Sequence, residues 1–573
     1  MTSRSNTGSE VGPPGLTKYF STLPFTEAEH NHRTISDPKL KFDPPRIARL
    51  VVASIRTRSV SGFVLVLVFC CFGGSVPGPS GVQGRRTTER EARPDNLVRN
   101  PGFELTLEDE KTPLDWRQRT EREEIAPNFE LDSTVAHSGR RSAKLSAKGS
   151  PGTFGYWVTS ITGLPDSNTR LTNHIPTEPV VRAKGFLAER RYRFRCYFRA
   201  RGIKSIDKSI SIKARWKNAR GEEILGEYIT SHKLQGEWHE AEGILAAPLF
   251  AKSVDLELVL QWTPTGTVWW DDVSLEQISP PQERKIKVAT VSYEPPPPST
   301  PDKNRYFFAE KVEAAGKAGA DIICLGEGIT KASTDKNFAE VAESVPGPTS
   351  QVLGDVAKKY HMYVIAGIYE RKEAIVYNTA LLIDREGKVF GKYRKTHLPE
   401  DEVTGGVTPG DTYPVFKTDF GTVGLEICYD NFFPEVARSL ALKGAEIIFL
   451  PISGDGRGNG YAWDIVARCR AIDNAVYLIA SNYSQKRSLV VDPNGQILAD
   501  TKGSGMVTAE IDLDGRTFDR WLSFPSYGEW KSLYPKERRA GTYGILLRDS
   551  KDSYVHGNNE EADMPSAYDQ RAR

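Results

Sequence analysis

Three titratable residues, Glu327, Lys395 and Cys428, stand at or just past the ends of short apolar runs. Glu327 ends ADIICLGE, Cys428 ends GTVGLEIC, and Lys395 follows VFGKYR. Where strands alternate with helices, sites form at the carboxyl ends of strands because the loops converge there. Three such groups from separate segments therefore point to a reaction centre. Each suits one part of acyl transfer. A helix is predicted from about Pro434 to Lys443, and its dipole, with a nearby lysine, favours a Cys428 thiolate. A carboxylate among apolar residues exchanges a proton near neutral pH, which suits Glu327 to general base work. The Lys395 ammonium suits an oxyanion. The sum is thiolate attack on a carbonyl, loss of ammonia or an amine, and hydrolysis of the thioester. An isolated cysteine is more often a small buried hydrophobe. Cys324, inside a strand, and Cys469, inside a helix, are read that way and assigned to core packing.

The elements that must position these groups begin near Lys285. Strand-like runs (IKVATVSY, ADIICLGE, YVIAGIYE, IVYNTALLID, AEIIFLPISG, VYLIASNY, SLVVDPNGQIL) alternate with predicted helices near 303–319, 350–360 and 460–473. Such alternation predicts an α/β domain over 285–547 with helices covering the sheets. Residues 95–278 read differently. SAKLSAK, RYRFRCYFRAR, SISIKARWKN, VDLELVLQW and TVWWDDVSLEQI alternate apolar and polar residues without a long helix between them, which predicts an antiparallel all-β sandwich or jelly roll. In RYRFRCYFRAR, Tyr192, Phe194, Cys196 and Phe198 share one face and the arginines mostly the other, read as a solvated face. A linker, SPPQER, spans 279–284, and the polar tail 548–573 carries no pattern for order.

The chain of 573 residues is too long for one core, so a multi-domain protein is expected. A net charge of +2 gives no general attraction to nucleic acid or an anionic membrane. The six cysteines (70, 71, 196, 324, 428 and 469) form neither a CxxC pair nor a zinc-type cluster, which excludes a disulfide scaffold. The leader, 1–94, is expected to be disordered apart from about 60–76. There a basic flank precedes the apolar run FVLVLVFCCFGG at 63–74, the layout of a signal peptide or anchor. Export or membrane anchoring is the expectation. Phe69 before Cys70 argues against a lipoprotein, where a small residue would stand.

The segment from Lys285 to about Leu547 resembles the nitrilase (carbon-nitrogen hydrolase) superfamily along its whole length. IKVATVSYEP, DIICLGEG, GKYRKTHLPE, GLEICYDNFFPEVAR, WDIVARCRAIDNAVYLIASN, SLVVDPNGQILAD and ERRAGTYGIL occur in family order. The resemblance implies a four-layer α-β-β-α sandwich and a catalytic triad of Glu327, Lys395 and Cys428. It implies a second glutamate, for which Glu400 and Glu402 are the candidates and Glu402 is preferred. It also implies an oxyanion site at the backbone N–H of Tyr429. No organic cofactor or catalytic metal follows, and a homo-oligomer is expected. Asp473 and Ala540 depart from the commoner glutamate and proline, away from the chemistry. HLPEDEVTGGVTPGDTYPVF looks most like bacterial N-carbamoyl amino acid or β-ureidopropionase-like amidohydrolases.

The ends of the first unit, NLVRNPGFE and VWWDDVSLEQI, resemble galactose-binding-like, carbohydrate-binding jelly rolls. That likeness implies a glycan partner and a structural calcium, with Glu104 and Asp272 as candidate ligands. Of Trp262, Trp269 and Trp270, at least two are expected in the core.

The leading reading is a hydrolase of amide or N-carbamoyl substrates with the β-sandwich as an accessory module. A nitrilase proper or an amide-forming acyltransferase is the alternative within the superfamily. A secreted glycan-binding protein with an inactive hydrolase domain is the alternative outside catalysis. A Cys–His hydrolase built on His397 is weaker, because His397 belongs to the lysine motif.

Overall fold

The structure is a computed structural model that describes residues 95–109, 111–165, 180–182, 187–454, 461–482, 487–519 and 528–547. The apolar run at 63–74, with Cys70 and Cys71, and the tail from 548 lie outside them.

In the first unit, period-two alternation yields two sheets that share one apolar core. The six-stranded sheet runs Asn128–Asp132, Ser142–Ser146, Thr267–Ile278, Leu187–Arg201, Trp238–Pro248, His232–Gln235. The longest strand turns Tyr192, Phe194, Cys196 and Phe198 inward, all buried. On its other face Arg193, Arg195 and Arg199 pair with Glu242, Glu240 and Glu237 at 3.3, 3.1 and 2.8 Å. The arginine row is thus largely neutralised across the strand. Trp269 and Trp270 are buried, whereas Trp262 is exposed with the Arg539 guanidinium over its ring.

The other sheet has eight strands: Arg117–Arg119, Phe154–Thr162, Ser253–Gln261, Ile210–Lys217, Glu223–Ile229, Gly528–Glu529, Thr517–Asp519, Val180–Arg182. Two of these come from the far end of the chain. The helix Trp530–Glu537 follows them onto the same sheet, where Ser532 Oγ accepts from the Tyr228 N–H and Glu537 from the Tyr228 hydroxyl. Arg516 reaches the buried carboxylate of Glu227, which also accepts from Trp216 Nε1 at 3.1 Å. The β-unit begun near Asp95 is therefore completed by residues after 513, although the chain leaves it at Ile278.

The second unit starts with the strand Lys285–Ser292, close to where the texture of the sequence changes. One six-stranded sheet runs Val389–Arg394, Ile375–Ile383, Tyr363–Lys372, Ile322–Cys324, Lys285–Ser292, Gly505–Asp512. The other runs Val415–Lys417, Thr422–Leu425, Ile447–Ile452, Tyr477–Asn482, Leu489–Val491, Ile497–Asp500. Their inner faces share a core that includes Val288, Cys324, Ile365, Leu425, Phe449 and Ile479. Helices Pro301–Lys317 and Pro348–Tyr360 cover the outer face of the first sheet. Pro434–Leu442 and Tyr461–Asn474 cover that of the second.

Cys324 is in the core as expected, but Cys469 is exposed. Helix Tyr461–Asn474 buries Trp463, Ala467 and Ala471, a four-residue spacing that turns position 469 outward.

Replacing Arg516 by Met leaves the Glu227 carboxylate buried without its cation. A loss of about 3 kcal/mol is expected from breaking a buried pair, read as a lower unfolding midpoint in denaturant.

Candidate active site

Register decides which groups meet. Ile322–Cys324 and Tyr363–Lys372 are parallel neighbours, and Ile375–Ile383 and Val389–Arg394 follow as antiparallel turns. Glu327 and Lys395 consequently emerge at the same edge of one sheet. Thr422–Leu425 and Ile447–Ile452 run parallel in the facing sheet and deliver Cys428 and Ser453. Gly367 lets the Glu327 backbone pass close to the neighbouring strand, since a Cβ there would sit 2.6 Å from Glu327 Cα.

Lys395 is the hub. Its side chain is 1% exposed, and Nζ donates to Glu327 Oε1 and Glu402 Oε2, each at 2.8 Å. Asn378 Nδ2 donates to the same two carboxylates, at 2.7 Å to Glu327 Oε1 and 2.5 Å to Glu402 Oε1. The Tyr369 hydroxyl donates to Glu402 at 3.0 Å, and the Ser453 N–H to Glu327 Oε2 at 2.9 Å. Glu402 rather than Glu400 is the second carboxylate, because Glu402 is buried and Glu400 exposed.

Electrostatics separates the two carboxylates. Burial raises Glu327, but the Lys395 charge and the donors from Lys395, Ser453 and Asn378 outweigh it, so its pKa is lowered. For Glu402, burial, helped by the charge of Glu327, outweighs Lys395 and raises it. Burial works against a charged Lys395, yet Glu327, Cys428 and Glu402 together lift its pKa. Both shifts favour an ammonium on Lys395 beside an ionised Glu327 carboxylate.

Cys428 opens the short 3-10 helix Cys428–Phe432 with φ of +46°, the left-handed region that side chains avoid. Its thiol is pushed well above the ordinary cysteine range by burial and then by the charge of Glu327, against the pull of Lys395. This corrects the expectation of a dipole-stabilised thiolate. The helix Pro434–Leu442 starts several residues further on, and the adjacent carboxylate outweighs the lysine. The Cys428 thiol therefore resists ionisation beside the Glu327 carboxylate. The N–H of Tyr429 follows directly in the same helical turn.

His397 turns elsewhere, with Nδ1 at 2.9 Å from Asp430 Oδ1 and its ring stacked on Phe433 at 3.8 Å. Glu104 accepts from the N–H groups of Arg140 and Arg141 at 2.5 and 3.0 Å. Asp272 is engaged by His137 Nδ1 and the Ser138 hydroxyl at 2.6 and 2.7 Å. Among the described residues no group of three or more His, Cys, Asp or Glu is arranged to hold a metal ion.

Sequence reasoning missed Asn378, Tyr369, Ser453 and Glu426. A polar Asn inside the apolar run IVYNTALLID was the signal for the first. Tyr369 and Ser453 lack a local signal, because their partners lie on distant segments of the chain. Glu426 is fully buried, and among the described residues neither of its oxygens has a hydrogen-bond partner.

A model of the carbon-nitrogen hydrolase family matches residues 287–520. The chain is 35% identical over 221 residues to the omega-amidase NIT2 of Bos taurus, covering 35% of this chain and 80% of that protein. The chain belongs to the carbon-nitrogen hydrolase family. A second relative of that name, from Xenopus tropicalis, is 30% identical, with 40% of this chain and 90% of that protein covered. Among solved structures, Nit3 of Saccharomyces cerevisiae, of the nitrilase superfamily, aligns with 30% identity and a TM-score of 0.36 over 40% of this chain and 90% of that one. The family match begins two residues into the strand Lys285–Ser292, beyond the first β-unit.

Two pH-dependent outcomes follow. Alkylation of Cys428 by iodoacetamide should quicken steadily from about pH 6 to about pH 9 without a plateau, because the thiol is raised. A plateau near neutrality, read by mass spectrometry, would mean a preformed thiolate. Burial, with Asp430 and Asp473 against Arg470, raises Glu426 from 4.5 to about 8. The unfolded chain releases that proton at lower pH than the folded one, so stability falls as pH rises between those two values and is flat beyond them. Glu426→Gln should therefore raise the melting temperature at pH 7.5 by about 2 °C or more, and by much less at pH 5.

Proposed function

We propose that the protein hydrolyses the carboxamide of a small molecule to a carboxylate and ammonia through a Cys428 thioester. The observation that carries this is the buried Glu327–Lys395–Glu402 cluster beside a cysteine held in a left-handed turn. As Sγ attacks the carbonyl carbon, Glu327 takes the thiol proton. The carbonyl π electrons move to oxygen, and the Lys395 ammonium and the Tyr429 N–H meet that charge. Collapse expels the nitrogen, which receives the proton from Glu327 and leaves as ammonia. A water then attacks the thioester and gives its proton to Glu327, and the departing sulfur recovers it. Glu402 keeps Lys395 in place through its ion pair at 2.8 Å.

The omega-amidase names of two relatives support a terminal carboxamide over an N-carbamoyl group. The β-unit, closed by the strands after 513, is read as an accessory module of the galactose-binding-like kind, with a surface glycan as its partner. Export and a homo-oligomeric assembly complete the proposal.

Wild type and Cys428→Ala are to be compared for ammonia release over terminal amides, N-carbamoyl amino acids and nitriles. Turnover of amides by wild type and a loss of at least about 1,000-fold in the variant are expected for removal of a nucleophile. Full activity in the variant would remove Cys428 from the mechanism. A preference for N-carbamoyl substrates or nitriles would overturn the amide assignment while keeping the thioester.

A further inference from the structure

Asp430 is not among the groups that react, yet it ties together the two segments that carry them. It is fully buried two residues after Cys428. Its Oδ2 accepts from the Ile427 N–H at 3.1 Å and from the Tyr393 hydroxyl at 2.8 Å. Its Oδ1 accepts from the Thr396 hydroxyl at 3.1 Å and the His397 N–H at 3.0 Å, and faces His397 Nδ1 at 2.9 Å. In turn the Asp430 N–H donates to the Ile427 carbonyl at 3.0 Å. The residue immediately before the nucleophile is thus held from both its N–H and its C=O. Cys428 lies inside this closed loop, at a φ of +46°. On the other side, Tyr393, Thr396 and His397 bracket Lys395 along the chain.

We infer that Asp430 is a positioning residue that fixes the Cys428 turn and the Lys395 segment relative to each other through one carboxylate. The inference rests on the triad reading proposed above. The two segments come from facing sheets, so no strand pairing sets their separation. Lys395 is anchored within its own sheet by its N–H on the Asn378 carbonyl at 2.8 Å and by the Gly410 N–H on its carbonyl at 2.8 Å. Asp430 carries that anchorage across to the nucleophile. An amide in its place supplies only one acceptor oxygen, and its NH2 meets donors at the other position. Some of the cross-links are then lost and the strained turn is free to relax. Reacting groups that shift by a fraction of an ångström lose rate while substrate contacts elsewhere persist.

The test uses full-length wild type, Asp430→Asn, Tyr393→Phe and Thr396→Val. For each, kcat and KM are measured on the best amide, and the rate of Cys428 alkylation by iodoacetamide is followed by mass spectrometry. For Asp430→Asn, kcat is expected to fall about 100-fold with KM changed by less than about threefold, as for a misplaced reacting group. Tyr393→Phe and Thr396→Val, which remove one link each, are expected to lower kcat by about three- to tenfold in the same pattern. Alkylation of Asp430→Asn should differ from wild type by at least about fivefold, because the environment of the sulfur changes. Wild-type kcat in Asp430→Asn, or equal losses in kcat and gains in KM across the set, would overturn the inference. Should Asp430→Asn not fold, the two single-link variants decide, and unchanged kcat in both overturns it. If wild type turns over no amide, the substrate reading fails on its own. The alkylation rate then still decides the role of Asp430, an unchanged rate in all three variants overturning it.

Discussion

A buried lysine ammonium organises the catalytic half of this molecule. Taking a charge out of water costs several kcal/mol unless opposite charges and hydrogen bonds replace the lost solvent. Lys395 is satisfied by Glu327 and Glu402, each contributed by a different stretch of chain. Asn378 then joins the two carboxylates to each other. The cluster therefore holds only if the strand ends arrive together, so the same interactions that make the site reactive also fix how the sheet edge is built. Burial and the charge of Glu327 have a chemical consequence. The neighbouring thiol is discouraged from ionising until a proton can pass to Glu327.

Cys428 is reached from the opposite sheet, which sets a second constraint. Among the described residues no backbone ladder links the two sheets, and their shared core is apolar and non-directional. Directional contacts must supply the alignment. Ser453 N–H on Glu327 and the many-sided hydrogen bonding of Asp430 are such contacts. Deeper between the sheets, the Thr290 hydroxyl on the Ala480 carbonyl and the Ser481 hydroxyl on the Val291 carbonyl serve the same end. The β-unit is tied in by a different device, in which the chain returns after 513 to add strands and a helix to its eight-stranded sheet.

The strands and helices of the catalytic half were legible because their patterns are strong and local. The helix beginning at Pro301 and the strand ending at Ile383 fall within a few residues of the sequence reading. The inward row Tyr192, Phe194, Cys196 and Phe198 was legible from alternation alone. Cys469 was misassigned because being inside a helix says nothing about which side faces in. Only the buried row of Trp463, Ala467 and Ala471 decides that. The ionisation of Cys428 was misjudged for a related reason. The helix and the lysine were visible along the chain, but the degree of burial and the contact with Glu327 were not.

Residue types and their order along the chain determined which groups are available for acyl transfer and which half of the molecule carries them. They also separated the β-unit from the α/β unit, because hydrophobic period is a local property. Tertiary structure decided the rest: that Glu402 and not Glu400 joins the lysine, that Asn378 and Asp430 are structural partners of the site, and that residues after 513 close the first unit. These depend on which strand ends meet across sheets. Such meetings are set by register and long-range packing, which no stretch of sequence encodes by itself.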